Sequence, residues 1–211
     1  RMRLWAHGTR ADARDLAASL GYVVGRELWQ MRRDLDPDLP RPSLPEGVTV
    51  RTFTDDDVDE LLELNADAFV DHPEQGQWTE ADPASRMSEP WFDPEGLFLA
   101  VAPADEEGHE DLLAFHWTKV HGDDPSPGLG RGHGLDHGHT AIGEVYVVGV
   151  SPKAQGRGLG RAMTLIGLHH LRDKGLAQAM LYVDADNTAA VATYRSLGFG
   201  RWATDVQFTR F

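Results

Sequence analysis

The sequence predicts an α/β fold in which helices flank a mixed central sheet, and three patterns carry that prediction. First, a strongly apolar run over 144–150 passes through a glycine-rich turn into a helix over 157–174, as a strand does when it feeds a crossover helix. Second, a strand, a helix and a closing strand follow over 179–184, 187–196 and 206–211. Third, the start of the chain carries a copy of that last unit. Leu4-Trp5 … Leu16-Ala17-Ala18-Ser19-Leu20-Gly21-Tyr22 aligns without gaps on Leu181-Tyr182 … Thr193-Tyr194-Arg195-Ser196-Leu197-Gly198-Phe199, and Gln30-Met31-Arg32-Arg33 aligns in the same register on Gln207-Phe208-Thr209-Arg210. In both copies the glycine suits the left-handed residue that ends a helix.

These patterns set the expected order of elements. Residues 1–34 read as the C-terminal tail of a first domain, and the chain, opening on Arg1 rather than methionine, is expected to be a fragment. Residues 35–47 are proline-rich and aperiodic, so they read as a linker. A complete domain is expected over 48–211. Its first strand alternates over 48–53, and Asp55 is expected to cap a helix that carries Val58, Leu61, Leu62 and Phe69. A weaker helix is expected over 79–88, then strands over 97–102 and 112–120 separated by an acidic turn. A Gly/His/Asp loop fills 121–140 ahead of the apolar strand.

Composition excludes several classes of function. With 20 basic against 34 acidic residues and a net charge of −14, the chain lacks the basic footprint of a nucleic-acid binder. The longest apolar runs are of strand length, too short to span a bilayer as a helix. Without cysteine there is no disulfide, thiolate metal site or cysteine nucleophile. A cytoplasmic protein is therefore the expectation, and the chain is expected to be a monomer.

The richest chemistry lies at Val147-Val148-Gly149-Val150-Ser151-Pro152, followed by Gln155-Gly156-Arg157-Gly158-Leu159-Gly160-Arg161. Glycines let the backbone approach an anion, the free N–H groups of a first helical turn can bind it, and Arg157 and Arg161 add positive charge. An ordinary glycine turn is the bland alternative. No Gly-Lys-Ser/Thr follows, so this is not a P-loop, and the dinucleotide fingerprint is absent. Strand periodicity places Glu144, Tyr146, Val148 and Val150 on one face. A carboxylate beside an apolar strand is costly unless hydrogen-bonded or functional, though Glu144 could also be the exposed start of the strand.

The Gln-x-x-Gly-x-Gly loop after a Val-x-Pro strand end resembles the pyrophosphate loop of the GNAT superfamily, here spelled Gln155-Gly156-Arg157-Gly158. The blocks over 143–152, 115–121, 72–76 and 181–187 together resemble the mycothiol synthase family, whose members join two GNAT domains in tandem with the second one catalytic. The resemblance implies transfer of acetyl from acetyl-CoA to the cysteinyl amine of cysteinyl-glucosaminyl-inositol. By the same resemblance Val148, Gly149 and Val150 offer N–H groups to the thioester, and Gln155, Gly156, Arg157, Gly158, Leu159, Gly160 and Arg161 hold the pyrophosphate. Asn187, Thr188, Ala189, Ala190, Val191 and Ala192 close over the coenzyme. Glu144 is implied as general base, working through water, and Tyr194 as the acid for the leaving thiolate. Glu74, Lys119, Glu144 and Tyr182 are implied to line the acceptor pocket.

Each role has a plainer alternative. Tyr194 could pack on the sheet, Glu74 could be a loop acid, and Lys119, one of only three lysines, could be a solvated strand residue. In the first copy Ala17 stands where the second has Tyr194, in line with one non-catalytic and one catalytic unit. The loop with His133, Asp136, His137 and His139 invites a metal, but its glycine density argues against fixed ligand geometry, so no metal is expected. A GNAT enzyme acting on another amine, and a coenzyme A-binding module without turnover, stay open at this point.

Overall fold

The structure, a computed structural model, describes residues 2–8, 11–70, 75, 78–79, 81–104, 110–122 and 141–210. These divide into two compact units, one formed by residues 1–34 with 180–211 and the other by residues 35–179.

The first unit is built from the two copies. Strand β1 (Met2–Ala6), helix α1 (Ala11–Ser19) and strand β2 (Val23–Asp34) form the first; strand β7 (Gln178–Asp184), helix α5 (Thr188–Ser196) and strand β8 (Gly200–Arg210) form the second. Their strands lie in the order β1-β8-β2-β7. This order reads the same from either end once each strand is exchanged for its copy. The register carries the same symmetry. Exchanging copies turns Val23↔Thr209 into Arg32↔Gly200, Val24↔Phe208 into Met31↔Arg201, Arg26↔Gln207 into Gln30↔Ala203, and Glu27↔Val206 into Trp29↔Thr204. Leu28↔Asp205 maps onto itself, so a pseudo-dyad passes through that rung. Even the irregularities match. The bulges fall at Gly25 and Trp202, which are counterparts.

The helix ends repeat as well. Gly21 (φ 75°) donates to Ala18 O at 3.0 Å and Tyr22 to Ala17 O at 2.9 Å; Gly198 (φ 85°) donates to Arg195 O and Phe199 to Tyr194 O, both at 3.0 Å. These bonds satisfy the last carbonyls of each helix and need the left-handed residue that glycine supplies. Ala17, Tyr22, Val206 and Phe208 form a small core.

The second unit holds β3 (Thr49–Thr52), α2 (Val58–Ala68), α3 (Ala81–Met87), β4 (Leu97–Val101), β5 (Leu112–His121), β6 (Ile142–Val150) and α4 (Leu159–Asp173). Its strands run β3-β4-β5-β6, with antiparallel pairing throughout. One face packs Phe115, Trp117 and Val147 against Leu61 and Leu64 of α2, and the other packs Ala100, Ala114, Val148 and Val150 against Leu159 and Met163 of α4. The cap of α2 differs from expectation. Thr54, not Asp55, begins a 3-10 turn over Asp55–Asp57, and Asp57 closes the capping box while Arg51 grips its carboxylate at 2.6 and 2.8 Å. That grip and the Thr54 bonds hold the Asp57 carboxyl below the usual carboxylate range.

Close approaches of α4 to the sheet fix the strands beneath the site. A Cβ on Gly167 would sit 2.0 Å from Cε1 of His116, and one on Gly143 would sit 2.7 Å from Cδ1 of Leu171. His116 is fully buried, its Nδ1 lies 2.7 Å from Met163 O, and burial pushes the imidazole down to about 4.

Candidate active site

The loop between β6 and α4 has the shape its glycines predict. Gly156 and Gly158 take φ values of 75° and 81°, and among the described residues nothing lies within 4 Å of where a Cβ would stand on either. Their positive φ delays the helix, which begins at Leu159 rather than at Arg157. Gly158 is the N-cap and, among the described residues, its first turn has no side-chain cap, the arrangement in which a helix start presents N–H groups to an anion. Leu159, 1 % exposed, anchors this turn in the core, and Gln155 donates to Val150 O at 3.3 Å. Arg157 is exposed and Arg161 half-buried at the same helix start. A backbone cradle, a helix N-terminus and two guanidinium groups fit a pyrophosphate.

Strand β6 carries Glu144, and the structure corrects the face reading. The ladder to β5 skips a residue on β6 between Trp117↔Val147 and Thr118↔Val145, so Tyr146 is a bulge. One extra residue reverses the alternation beyond it. Tyr146 packs on the α2 side, whereas Val148 and Val150 pack on the α4 side, so Glu144 and Tyr146 do not share a face with those two valines.

Around Glu144 the second unit gathers a cationic and aromatic cluster. Glu144 is 6 % exposed, faces Lys119 across the ladder, and places Oε2 2.5 Å from Nε2 of His121. The Lys119 ammonium lies 4.2 Å from the centroid of the Trp91 ring and 5.3 Å from that of Tyr146, a cation–π arrangement. Trp91, Trp117 and Tyr146 pack mutually, edge-on in both pairs with Tyr146 and tilted between the two Trp rings, with centroids 5.2 to 5.8 Å apart. Arg86 donates to the Tyr146 hydroxyl at 3.0 Å and covers Trp78 at 4.6 Å. The sequence reading of Lys119 and Glu144 thus meets on one sheet face, while His121, Trp91 and Arg86 escaped it. For His121 a signal existed: it lies two residues beyond Lys119 on the same strand.

The remaining candidates lie in the first unit. Tyr194 is half-buried on α5, edge-on to Phe199 with centroids 5.9 Å apart, and burial pushes its phenol up to about 12. Tyr182 is 42 % exposed and its hydroxyl accepts from Gln30 at 2.8 Å. Asn187 caps α5 by accepting from the Ala190 N–H at 3.1 Å, ahead of exposed Thr188 and Ala189 and a buried Val191. Glu74 and the histidines at 133, 137 and 139 lie outside the described residues. Among the described residues no cluster of three or more His, Asp or Glu could hold a metal, and no helix is long and apolar enough to cross a membrane.

Comparison with known proteins places this geometry. The model of the acetyltransferase (GNAT) family matches residues 58–199. Over 214 residues the chain is 52% identical to a mycothiol acetyltransferase of Acidothermus cellulolyticus, covering 100% of this chain and 62% of that protein. It is 54% identical to that of Salinispora arenicola (99% and 63% covered) and 48% identical to that of a Nocardioides species (99% and 70% covered). The chain thus spans a little under two thirds of the first two relatives. A GCN5-related N-acetyltransferase from Sphaerobacter thermophilus superposes with a TM-score of 0.72 at 26% identity, over 98% of this chain and 58% of that one. A tandem GNAT protein of clavulanic acid biosynthesis shares the fold, with a TM-score of 0.64 at 19% identity, over 99% of this chain and 63% of that one. The α/β fold with a mixed sheet flanked by helices is therefore the GNAT fold, and the chain belongs to the GNAT acetyltransferase family, with mycothiol acetyltransferases among its relatives.

Proposed function

We propose that the chain transfers acetyl from acetyl-CoA to the cysteinyl amine of cysteinyl-glucosaminyl-inositol, with Glu144 as general base. The observation that carries this reading is the buried Glu144 carboxylate, set opposite Lys119 and bonded to His121 in a relative of mycothiol acetyltransferases. An amine attacks only when neutral. A carboxylate next to the acceptor, directly or through one water, takes the ammonium proton. The nitrogen lone pair then forms the C–N bond to the thioester carbon, whose oxygen is stabilised by N–H groups among Val148, Gly149 and Val150. As the C–S bond breaks, the Tyr194 phenol, protonated at neutral pH and raised to about 12 by burial, supplies the proton for the thiolate, and the second proton that the nitrogen loses on becoming an amide restores the phenol through solvent.

In this reading the loop from Gln155 to Arg161 and the helix start from Asn187 to Ala192 hold acetyl-CoA. Glu74, Lys119, Glu144 and Tyr182 recognise the hydroxyl-rich acceptor. Residues 1–34 are read as the tail of a first GNAT domain, 35–47 as the linker and 48–211 as the catalytic domain, supported by the repeat of β1-α1-β2 in β7-α5-β8. The protein works as a monomer in the cytoplasm.

The test is mass spectrometry of the acceptor incubated with acetyl-CoA and the chain. An acetyl gain on the amine that falls by about a hundredfold or more in Glu144→Gln is the expected result. Undiminished transfer in that variant removes Glu144 from the base role. Transfer to simple amines but not to this acceptor overturns the substrate.

A further inference from the structure

The catalytic reading leaves His121 without a task, yet it is the group bonded to the Glu144 carboxylate. Lys119, directly opposite on the ladder, turns its charge onto the Trp91 and Tyr146 rings. His121 reaches the carboxylate diagonally, from the last rung of the β5–β6 ladder, His121↔Ile142. That rung is pinned. Gly122, with φ of 111°, brings the chain so close to β6 that a Cβ there would stand 2.7 Å from Cα of Ala141. The carboxylate is enclosed while the imidazole is open to solvent, with side-chain exposures of 8% and 36%.

We infer that His121 is a positioning residue for the general base: its Nε2–H donates to Oε2 of Glu144, fixing the carboxylate and leaving Oε1 to receive the acceptor's proton. An ionised carboxylate has only lone pairs to offer, so a contact of 2.5 Å requires the proton on Nε2. The step balances as a simple proton transfer. An N–H bond of the ammonium breaks, an O–H bond forms on Oε1, and the Nε2–H stays in place. Held at one oxygen, the carboxylate cannot swing away from the acceptor, and preorganisation of this kind acts on turnover more than on binding. The inference rests on Glu144 being the base.

Two measurements on this chain test it. Kinetically, His121→Leu lowers kcat by about tenfold to a hundredfold while KM for acetyl-CoA and for the acceptor stays within about twofold. His121→Gln, which keeps an N–H donor, recovers part of that loss. Spectroscopically, the imidazole N–H proton of His121 gives a low-field resonance that vanishes in Glu144→Gln as well as in His121→Leu. A resonance indifferent to Glu144→Gln overturns the pairing. A kcat for His121→Leu within twofold, alongside an inactive Glu144→Gln, overturns the positioning role and leaves the base standing. Turnover that survives Glu144→Gln overturns the reading beneath both.

Discussion

The two copies in the first unit share a scaffold and differ at the positions that could do chemistry. Both end their helix with Ser-Leu-Gly and an aromatic, and both use the same carbonyls: Ser19 Oγ donates to Leu16 O at 2.8 Å, Ser196 Oγ to Thr193 O at 2.7 Å. The aromatics that follow are buried alike, Tyr22 at 8% and Phe199 at 3% exposure. Then the copies part. Ala17 is a small core residue, whereas its counterpart Tyr194 carries a phenol raised to about 12. Gly25 is a bulge without a side chain, whereas its counterpart Trp202 is 65% exposed and stacks on Arg32 at 4.5 Å. The two copies share what the strand-helix-strand unit needs in order to fold and differ in the rest.

The comparison breaks most visibly at the shared aromatics. Phe199→Ala and Tyr22→Ala each remove a buried ring from equivalent sites, and each is expected to cost about 3–5 kcal/mol in urea unfolding. A large loss in one copy with none in the other means that the pseudo-dyad does not extend to energetics.

A residue with no counterpart gives the contrast. His116, in the second unit, is pushed down to about 4 by burial, whereas an unfolded histidine titrates near 6.5. Between those values the unfolded chain binds more protons, so stability falls as pH falls. The loss approaches about 3 kcal/mol at the bottom of the window and is absent above it. Urea unfolding from pH 7 to pH 4, repeated on His116→Gln, isolates the slope. Equal slopes in both proteins mean that His116 is not the source.

The divergent pair predicts function rather than stability. Tyr194→Phe is expected to lower kcat by about a hundredfold, equivalent to about 2.7 kcal/mol of barrier, with unfolding nearly unchanged. Unchanged kcat reduces Tyr194 to an aromatic packed on Phe199, the counterpart of Ala17 in role as well as place.

How much of this was legible follows from what each feature depends on. The apolar strand and the glycine turn are local patterns, and they emerge within two residues of the expected bounds, β6 from Ile142 and α4 from Leu159. Strand β8 begins at Gly200, well before the expected 206, because Gly200, Arg201, Ala203 and Thr204 are held by register with β2, a partner far away in sequence, around a bulge at Trp202 that breaks the alternation. The bulge at Tyr146 is likewise a property of pairing, so period-two reasoning assigned Val148 and Val150 to the wrong face. Glu144 was legible as a costly carboxylate in an apolar strand. His121 was legible only as a residue two places beyond Lys119 on the same strand, since nothing in its own neighbourhood announces a bond to a residue on the next strand.

The smallest expected effect is also the cleanest test of the symmetry. Gly21 and Gly198 have φ of 75° and 85°, a region that a Cβ disfavours by about 1–2 kcal/mol. Among the described residues nothing lies within 4 Å of a Cβ built on Gly21, and only the Arg33 guanidinium approaches that of Gly198, at 3.6 Å. Gly21→Ala and Gly198→Ala therefore differ from the wild type by backbone strain alone, and each is expected to cost about 1 kcal/mol. The double variant is expected to cost their sum, since the two caps share no partner. Unequal costs mean that one cap is held by something beyond its own turn, and the Arg33 guanidinium beside Gly198, which also donates to Leu197 O, is the first group to remove.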